Sequence, residues 1–199
     1  MTRSLTCTPK LSLMMFCFLC AQISASTATT AAAAAAGPET IKFIKDSCNV
    51  TLYPKLCVES TTPYASLIQE SHRKLAFAAL SVSIEKGESM KEFVGKLAKT
   101  LGPKAKEYAA LKDCLEEVND GVDRMTKSRN ELKYYGPDFK WHLNNLQTWA
   151  SAALTDETTC TDGFADRALD GNTKNSIKKE MTKMTQATSN ALALCNKLG

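Results

Sequence analysis

Five cysteines, Cys48, Cys57, Cys114, Cys160 and Cys195, are the side chains of this 199-residue chain with the most chemistry open to them. Thiols can ligate a metal, act as nucleophiles or pair into disulfides. A structural zinc site asks for closely spaced ligand pairs. No C-x-x-C pair is present, and His72 and His142 lie far from any cysteine in the sequence. No metal and no cofactor is expected.

The compartment favours pairing. Arg3 and Lys10 precede an apolar run from Leu11 to Ala21, and Ile23, Ser24 and Ala25 supply the small residues of a cleavage site. Residues 1–25 therefore read as a secretory signal. The apolar run is about half of the roughly 20 residues that a bilayer span requires, so export without a membrane anchor is expected. Cleavage near Ser26 removes Cys7, Cys17 and Cys20 and leaves the five. In an oxidising compartment four of these pair and one remains. The short separation of Cys48 and Cys57 across Tyr53-Pro54 favours a local hairpin bridge and leaves Cys114 and Cys160 as the favoured long-range pair, although these positions alone leave the connectivity open. Loop entropy makes the first closure worth roughly 3 kcal/mol and the second roughly 4 as upper figures. The same secretory reading makes Asn49-Val50-Thr51 a candidate glycosylation site at Asn49.

Other reactive types give weaker signals. Glu116-Glu117 and Asp120 with Asp123 resemble acid/base pairs, but adjacent helical residues point apart and no cleft is implied that would separate their pKa values. A solvated helix face is the better account. No nucleophile elbow, zinc-protease motif, phosphate-binding glycine loop or dinucleotide fingerprint occurs. Without the signal, which carries Arg3 and Lys10 but no acid, 25 basic residues become 23 against 21 acidic ones, a net of +2. The charges are interspersed, which argues against a nucleic-acid partner.

Helices must position these residues. From Lys104 to Lys133, Tyr108, Leu111, Leu115, Val118, Val122, Met125, Arg129 and Leu132 keep three-four spacing, which predicts a bundle helix opened by Gly102-Pro103 and closed by Gly136-Pro137. A second stripe, Ile177, Met181, Met184, Thr188, Ala191, Cys195 and Leu198, puts Cys195 on a buried face. Phe139, Leu143, Leu146, Ala150 and Ala153 predict a shorter helix ending near the Asp156–Gly163 turn region. Upstream, Ile68 to Leu101 predicts a long helix from about 65, interrupted near Gly87. Short helical pieces surround the first cysteine pair between 39 and 61. The expectation is an all-α, up-down four-helix bundle with an N-terminal disulfide-closed helical hairpin, occupying 38–199 after a flexible Thr/Ala-rich leader at 26–37.

Three segments carry a resemblance: Cys48-Asn-Val-Thr-Leu-Tyr-Pro-Lys-Leu-Cys57, Leu111-Lys-Asp-Cys-Leu-Glu116, and the stretch from Leu146 through Trp149, Asp156, Glu157 and Cys160 to Phe164. With them the chain resembles the plant invertase and pectin methylesterase inhibitor family over essentially all of 39–199. It departs from the family pattern at Val118 and at Asp120-Gly121. The resemblance implies bridges Cys48–Cys57 and Cys114–Cys160 with Cys195 unpaired, no catalysis, and a reversible one-to-one complex that covers the substrate cleft of a pectin methylesterase in the cell wall. Invertase is the alternative target. The segment Thr188 to Cys195 is more similar to the pectin methylesterase branch.

Exposed helix positions nominate contact residues: Glu116, Asp120, Asp123 and Lys127 on one helix, and Trp141, Asn144, Asn145, Thr148 and Ser151 on the next. Trp141 lies off the apolar stripe, as an interface anchor would, or else packs on Tyr134 and Tyr135. The inhibitor is expected to be a monomer. A secreted helical carrier is a separate possibility, and a large apolar cavity between the helices would mark it.

Overall fold

A computed structural model describes residues 37–169 and 171–199. The signal-peptide reading over 1–25 and the leader over 26–36 lie outside the described residues. Among the described residues seven α-helices follow in order: α1 Pro38–Cys48, α2 Pro54–Thr61, α3 Ala65–Ile68, α4 His72–Leu101, α5 Tyr108–Glu131, α6 Phe139–Asp162 and α7 Asn172–Cys195. No strand occurs among the described residues.

The four long helices form a ring in which α4 packs on α5 and α7, and α6 packs on α5 and α7. Specific contacts fix their directions. Arg73 at the start of α4 donates its Nε to the Leu132 carbonyl after α5 at 2.9 Å. Ser128 near the end of α5 donates to the Leu146 carbonyl early in α6 at 2.9 Å, and Cys114 early in α5 is bonded to Cys160 late in α6. Ser83 of α4 meets Thr188 of α7 at 2.7 Å. Successive helices therefore run up and down.

Helix boundaries differ from the sequence expectation at four points. Position 65 opens only the one-turn α3; Gln69 and Glu70 then adopt φ 47 and 59, and α4 starts afresh at His72 with Ser71 accepting the Lys74 amide. Gly87 does not interrupt α4. A Cβ there would lie 2.5 Å from Val122 Cγ2 and 3.1 Å from Met184 Cε, so the glycine admits α5 and α7 to close approach inside a continuous 30-residue helix. Pro103 lies in turns and not at N1, because Gly102 ends α4 with φ 73 and α5 starts only at Tyr108. Finally, α6 runs on through Asp156 to Asp162 and is as long as α5, at 24 residues each.

Two apolar clusters fill the bundle. One contains Leu75, Leu80, Met125, Leu143, Leu146, Leu194 and Cys195, and the N-terminal hairpin adds Ile44, Cys48 and Cys57 to it. The other, at the opposite end, contains Met90, Val94, Leu111, Val118, Phe164, Ile177 and Met181. Between them Ser83, Glu157 and Thr188 form a fully buried polar layer. Thr188 donates to Glu157 Oε1 at 2.6 Å, which links three helices through one hydroxyl.

Candidate functional site

The nominated contact residues map onto the outer surface of α5 and α6. Asp123 and Lys127 are one helical turn apart and pair at 2.5 Å. The Lys127 ammonium also lies 5.1 Å from the Trp149 ring centre, so the α5 charges reach across the seam to α6. On α6, Asn144, Thr148 and Ser151 stand on one face and line a shallow open groove with Gln147 and Thr155. Glu116, Asp120, Asn144, Thr148 and Ser151 are exposed, whereas Asn145 is half-buried. Glu116 and Trp141 lie toward opposite ends of the bundle, roughly 25 Å apart at 1.5 Å per helical residue. The whole set therefore spans about the width of one standard protein interface.

Burial and like charge shape the seam. Asp156 is nearly buried and pairs with the Arg124 guanidinium at 2.6 Å. Its carboxyl titrates above the usual range because burial outweighs the stabilisation from Arg124. Glu117 is also raised, first by burial and then by the Asp156 and Asp120 charges. The seam is an acidic strip with Arg124 at its centre.

The α5–α6 corner carries a cluster of exposed rings. Tyr135 is 76% exposed, Trp141 62% and Tyr134 53%. These rings are held, not loose. Tyr134 stacks on His142 with centroids 3.8 Å apart, and Trp141 meets the same imidazole edge-on at 4.8 Å. His142 Nδ1 in turn lies 2.5 Å from Glu131 Oε2. Arg73 donates to the Leu132 and Tyr134 carbonyls and places its guanidinium 3.8 Å from the Tyr135 ring centre and 4.3 Å from that of Phe139. Exposed aromatics fixed in this way lose little side-chain entropy on binding a partner.

The cysteines serve the scaffold. Bridges join Cys48 to Cys57 and Cys114 to Cys160. Cys195 is a free, buried thiol, and burial pushes its ionisation far above the usual thiol range, which leaves almost no thiolate to react. Asn49 is exposed at the end of α1, while Thr51 of the same sequon is buried and donates to the Cys48 carbonyl at 2.8 Å. Among the described residues no cluster of three or more His, Cys, Asp or Glu side chains could hold a metal, and no helix is long and apolar enough to cross a membrane.

Three supporting residues are not among the site positions nominated from the sequence. Glu157 is wholly buried, and desolvation raises its carboxyl to about 7 despite the Thr188 and Thr185 hydroxyls. Asn190 clamps the N-terminal hairpin to α7: its Oδ1 accepts the Tyr53 amide at 3.1 Å and its Nδ2 donates to the Tyr53 carbonyl at 2.9 Å. Arg73 fixes the aromatic corner. Only Glu157 left a legible signal, since it continues the stripe Leu146, Ala150, Ala153 toward Cys160 at three-four spacing.

Comparison with known proteins matches residues 42–194 to the family described as plant invertase/pectin methylesterase inhibitor. The chain is 44% identical to Pectinesterase inhibitor 11 of Arabidopsis thaliana over 93% of its own length and 94% of that protein. It is 46% identical to the 21 kDa protein of Daucus carota over 78% of itself and 82% of the relative. A crystal structure of a mutant form of a pectin methylesterase inhibitor from Arabidopsis superposes with a TM-score of 0.59 at 16% identity, covering 75% of this chain and 92% of that one; at that identity the likeness is one of fold.

Proposed function

Since this chain belongs to the plant invertase/pectin methylesterase inhibitor family, we propose that it inhibits pectin methylesterase by a reversible one-to-one complex in which the α5–α6 face and its aromatic corner cover the enzyme's substrate cleft. The observation that carries the target is the 44% identity to a pectinesterase inhibitor over nearly the full length of both chains. The geometry supports the mode of action. A bundle whose interior is filled by side chains and closed by two bridges presents a rigid outer face, and preorganisation of that kind lowers the ordering cost of association.

The three exposed rings supply the apolar anchor and the charged positions Glu116, Asp120, Asp123 and Lys127 form its rim. Anchors of this type carry most of the binding energy, whereas rim charges chiefly set the association rate. The inhibitor acts as a monomer in the extracellular space, with a glycan at Asn49, which is exposed at the end of α1.

Titration of the purified, oxidised mature chain into a plant pectin methylesterase and, separately, into invertase tests this reading. Methylesterase activity should fall to zero near one equivalent and return on separation of the complex, with invertase unaffected. Inhibition of invertase with pectin methylesterase spared would replace the target.

A further inference from the structure

Away from α5 and α6, the turn at Thr62–Tyr64 and α3 lie across the outer surface of α4 and leave a groove of about 420 Å³. Leu67, Phe77 and Ala78 form its apolar wall, with Tyr64, Gln69 and Lys74 around them. Leu67 is 67% exposed and Phe77 39%, so hydrocarbon faces water here. The size lies within the roughly 300–1,000 Å³ of small-molecule sites. It is not a cavity between the bundle helices, where a carrier would hold its cargo.

The backbone that shapes the groove is unusual. Gln69 and Glu70 are consecutive non-glycine residues at positive φ, the only two among the described residues, and few side chains other than Asn and Asp tolerate that region. This reversal sends the Gln69 side chain back over α4, where its Oε1 accepts from the Lys74 ammonium. An ammonium has three donors, so two remain, and Lys74 pairs with no carboxylate among the described residues. At the far end the Tyr64 hydroxyl donates to Glu85 at 2.9 Å. Lys74, Ala78 and Ser81 line the groove along one face of α4, with Lys74 as the charged group among them, and Glu85 follows on the same face beyond the lining. A second cation stands beside its middle: the Arg129 guanidinium lies 5.5 Å from the Phe77 ring centre and donates to Ser81 Oγ at 3.3 Å.

We propose that this groove binds a small amphipathic anion, with an aromatic or short aliphatic body against Leu67, Phe77 and Ala78 and a carboxylate or sulfonate head on Lys74. The unneutralised ammonium selects an anion over a neutral or cationic guest. The length of the slot selects a small molecule over a protein: even out to Glu85, it spans roughly 16 Å of helix from Lys74, too little for the roughly 800 Å² that each partner buries in a stable protein complex.

The test uses the oxidised mature chain, the anionic dye 8-anilinonaphthalene-1-sulfonate and its neutral analogue N-phenyl-1-naphthylamine. Saturable binding of the anionic dye at one site is expected. Leu67→Ser, at a position exposed enough to leave the fold intact, should weaken both dyes about tenfold through lost apolar contact. Lys74→Gln should weaken the anionic dye roughly threefold and leave the neutral one unchanged. Non-saturable binding, or binding that survives Leu67→Ser, overturns the site. Equal loss of both dyes in Lys74→Gln overturns the anion preference. Sedimentation showing a dimer that Leu67→Ser dissociates would make the groove a contact between copies and overturn the proposal.

Discussion

Trp141 is the residue that most directly separates anchor from scaffold. It is largely exposed and meets His142 edge-on, so truncation removes little folding energy. Trp141→Ala should leave the thermal midpoint within a degree or two but weaken inhibition by about 2 kcal/mol, roughly thirtyfold, measured as the inhibition constant against pectin methylesterase. An unchanged constant would return Trp141 to a surface role. Glu157 makes the opposite argument, from burial. Its folded carboxyl is raised to about 7, whereas in the unfolded chain it titrates near the ordinary glutamate value. The unfolded state thus binds fewer protons between these values, and stability falls as pH rises from about 4.5 through 7. Glu157→Gln keeps the acceptor for Thr188 without the charge. The variant should match the parent in urea at pH 4 and exceed it by a few kcal/mol at pH 8; a difference independent of pH would contradict the assignment.

At the scale of elements, what must be explained is how a helical hairpin and four helices hold one register. The hairpin is tied to α7 by Asn190, whose amide satisfies both backbone groups of Tyr53. Asn190→Ala orphans the Tyr53 amide and leaves its carbonyl with the Cys57 amide alone, and should cost about 1–3 kcal/mol, seen as a lower denaturation midpoint. Hydrogen exchange should rise first over residues 38–61. In the middle of the bundle, Gly87 and Gly121 both face Met184. A Cβ at 87 would sit 2.5 Å from Val122 and one at 121 only 3.4 Å from the flexible Met184 terminus. Gly87→Ala should therefore destabilise by about 1–3 kcal/mol through overpacking, while Gly121→Ala should be near neutral or gain up to about 1 kcal/mol of helix propensity. Equal effects of the two would argue against this packing.

For the whole molecule, the bridges and the closed core keep the proposed docking face rigid. The Cys114–Cys160 bridge closes 46 residues and the Cys48–Cys57 bridge 9, so the first constrains the unfolded chain more, by roughly 4 against 3 kcal/mol in the loop-entropy model. Replacing Cys114 and Cys160 with Ala should lower the unfolding midpoint more than replacing Cys48 and Cys57, and should weaken inhibition before any contact residue is altered. Cys195 offers an internal gauge. Because it is buried, a bulky thiol reagent should label the folded chain only at the rate of global opening, and labelling within seconds would show that the bundle is looser than described.

Much of this architecture is legible in the sequence, because helical amphipathicity is a local property. The stripe Leu111 to Leu132 and the stripe Ile177 to Leu198 define buried faces with nothing but three-four spacing, and four such stripes with short connections leave an up-down bundle as the simplest way to bury them. Helix ends are less legible: at Pro103 the adjacent Gly102, at φ 73, ends α4 and turns the chain, whereas at 87 distant neighbours decide, since Val122 and Met184 require a glycine there. Glu157 shows the limit most clearly. A carboxylate on an apolar stripe reads as the end of a helix until the hydroxyl of Thr188, 31 residues away, is seen to donate to it. The clasp of Arg73 on the Leu132 and Tyr134 carbonyls arises the same way. It joins residues whose separation along the chain exceeds the reach of any periodicity, so it exists only once the helices have packed.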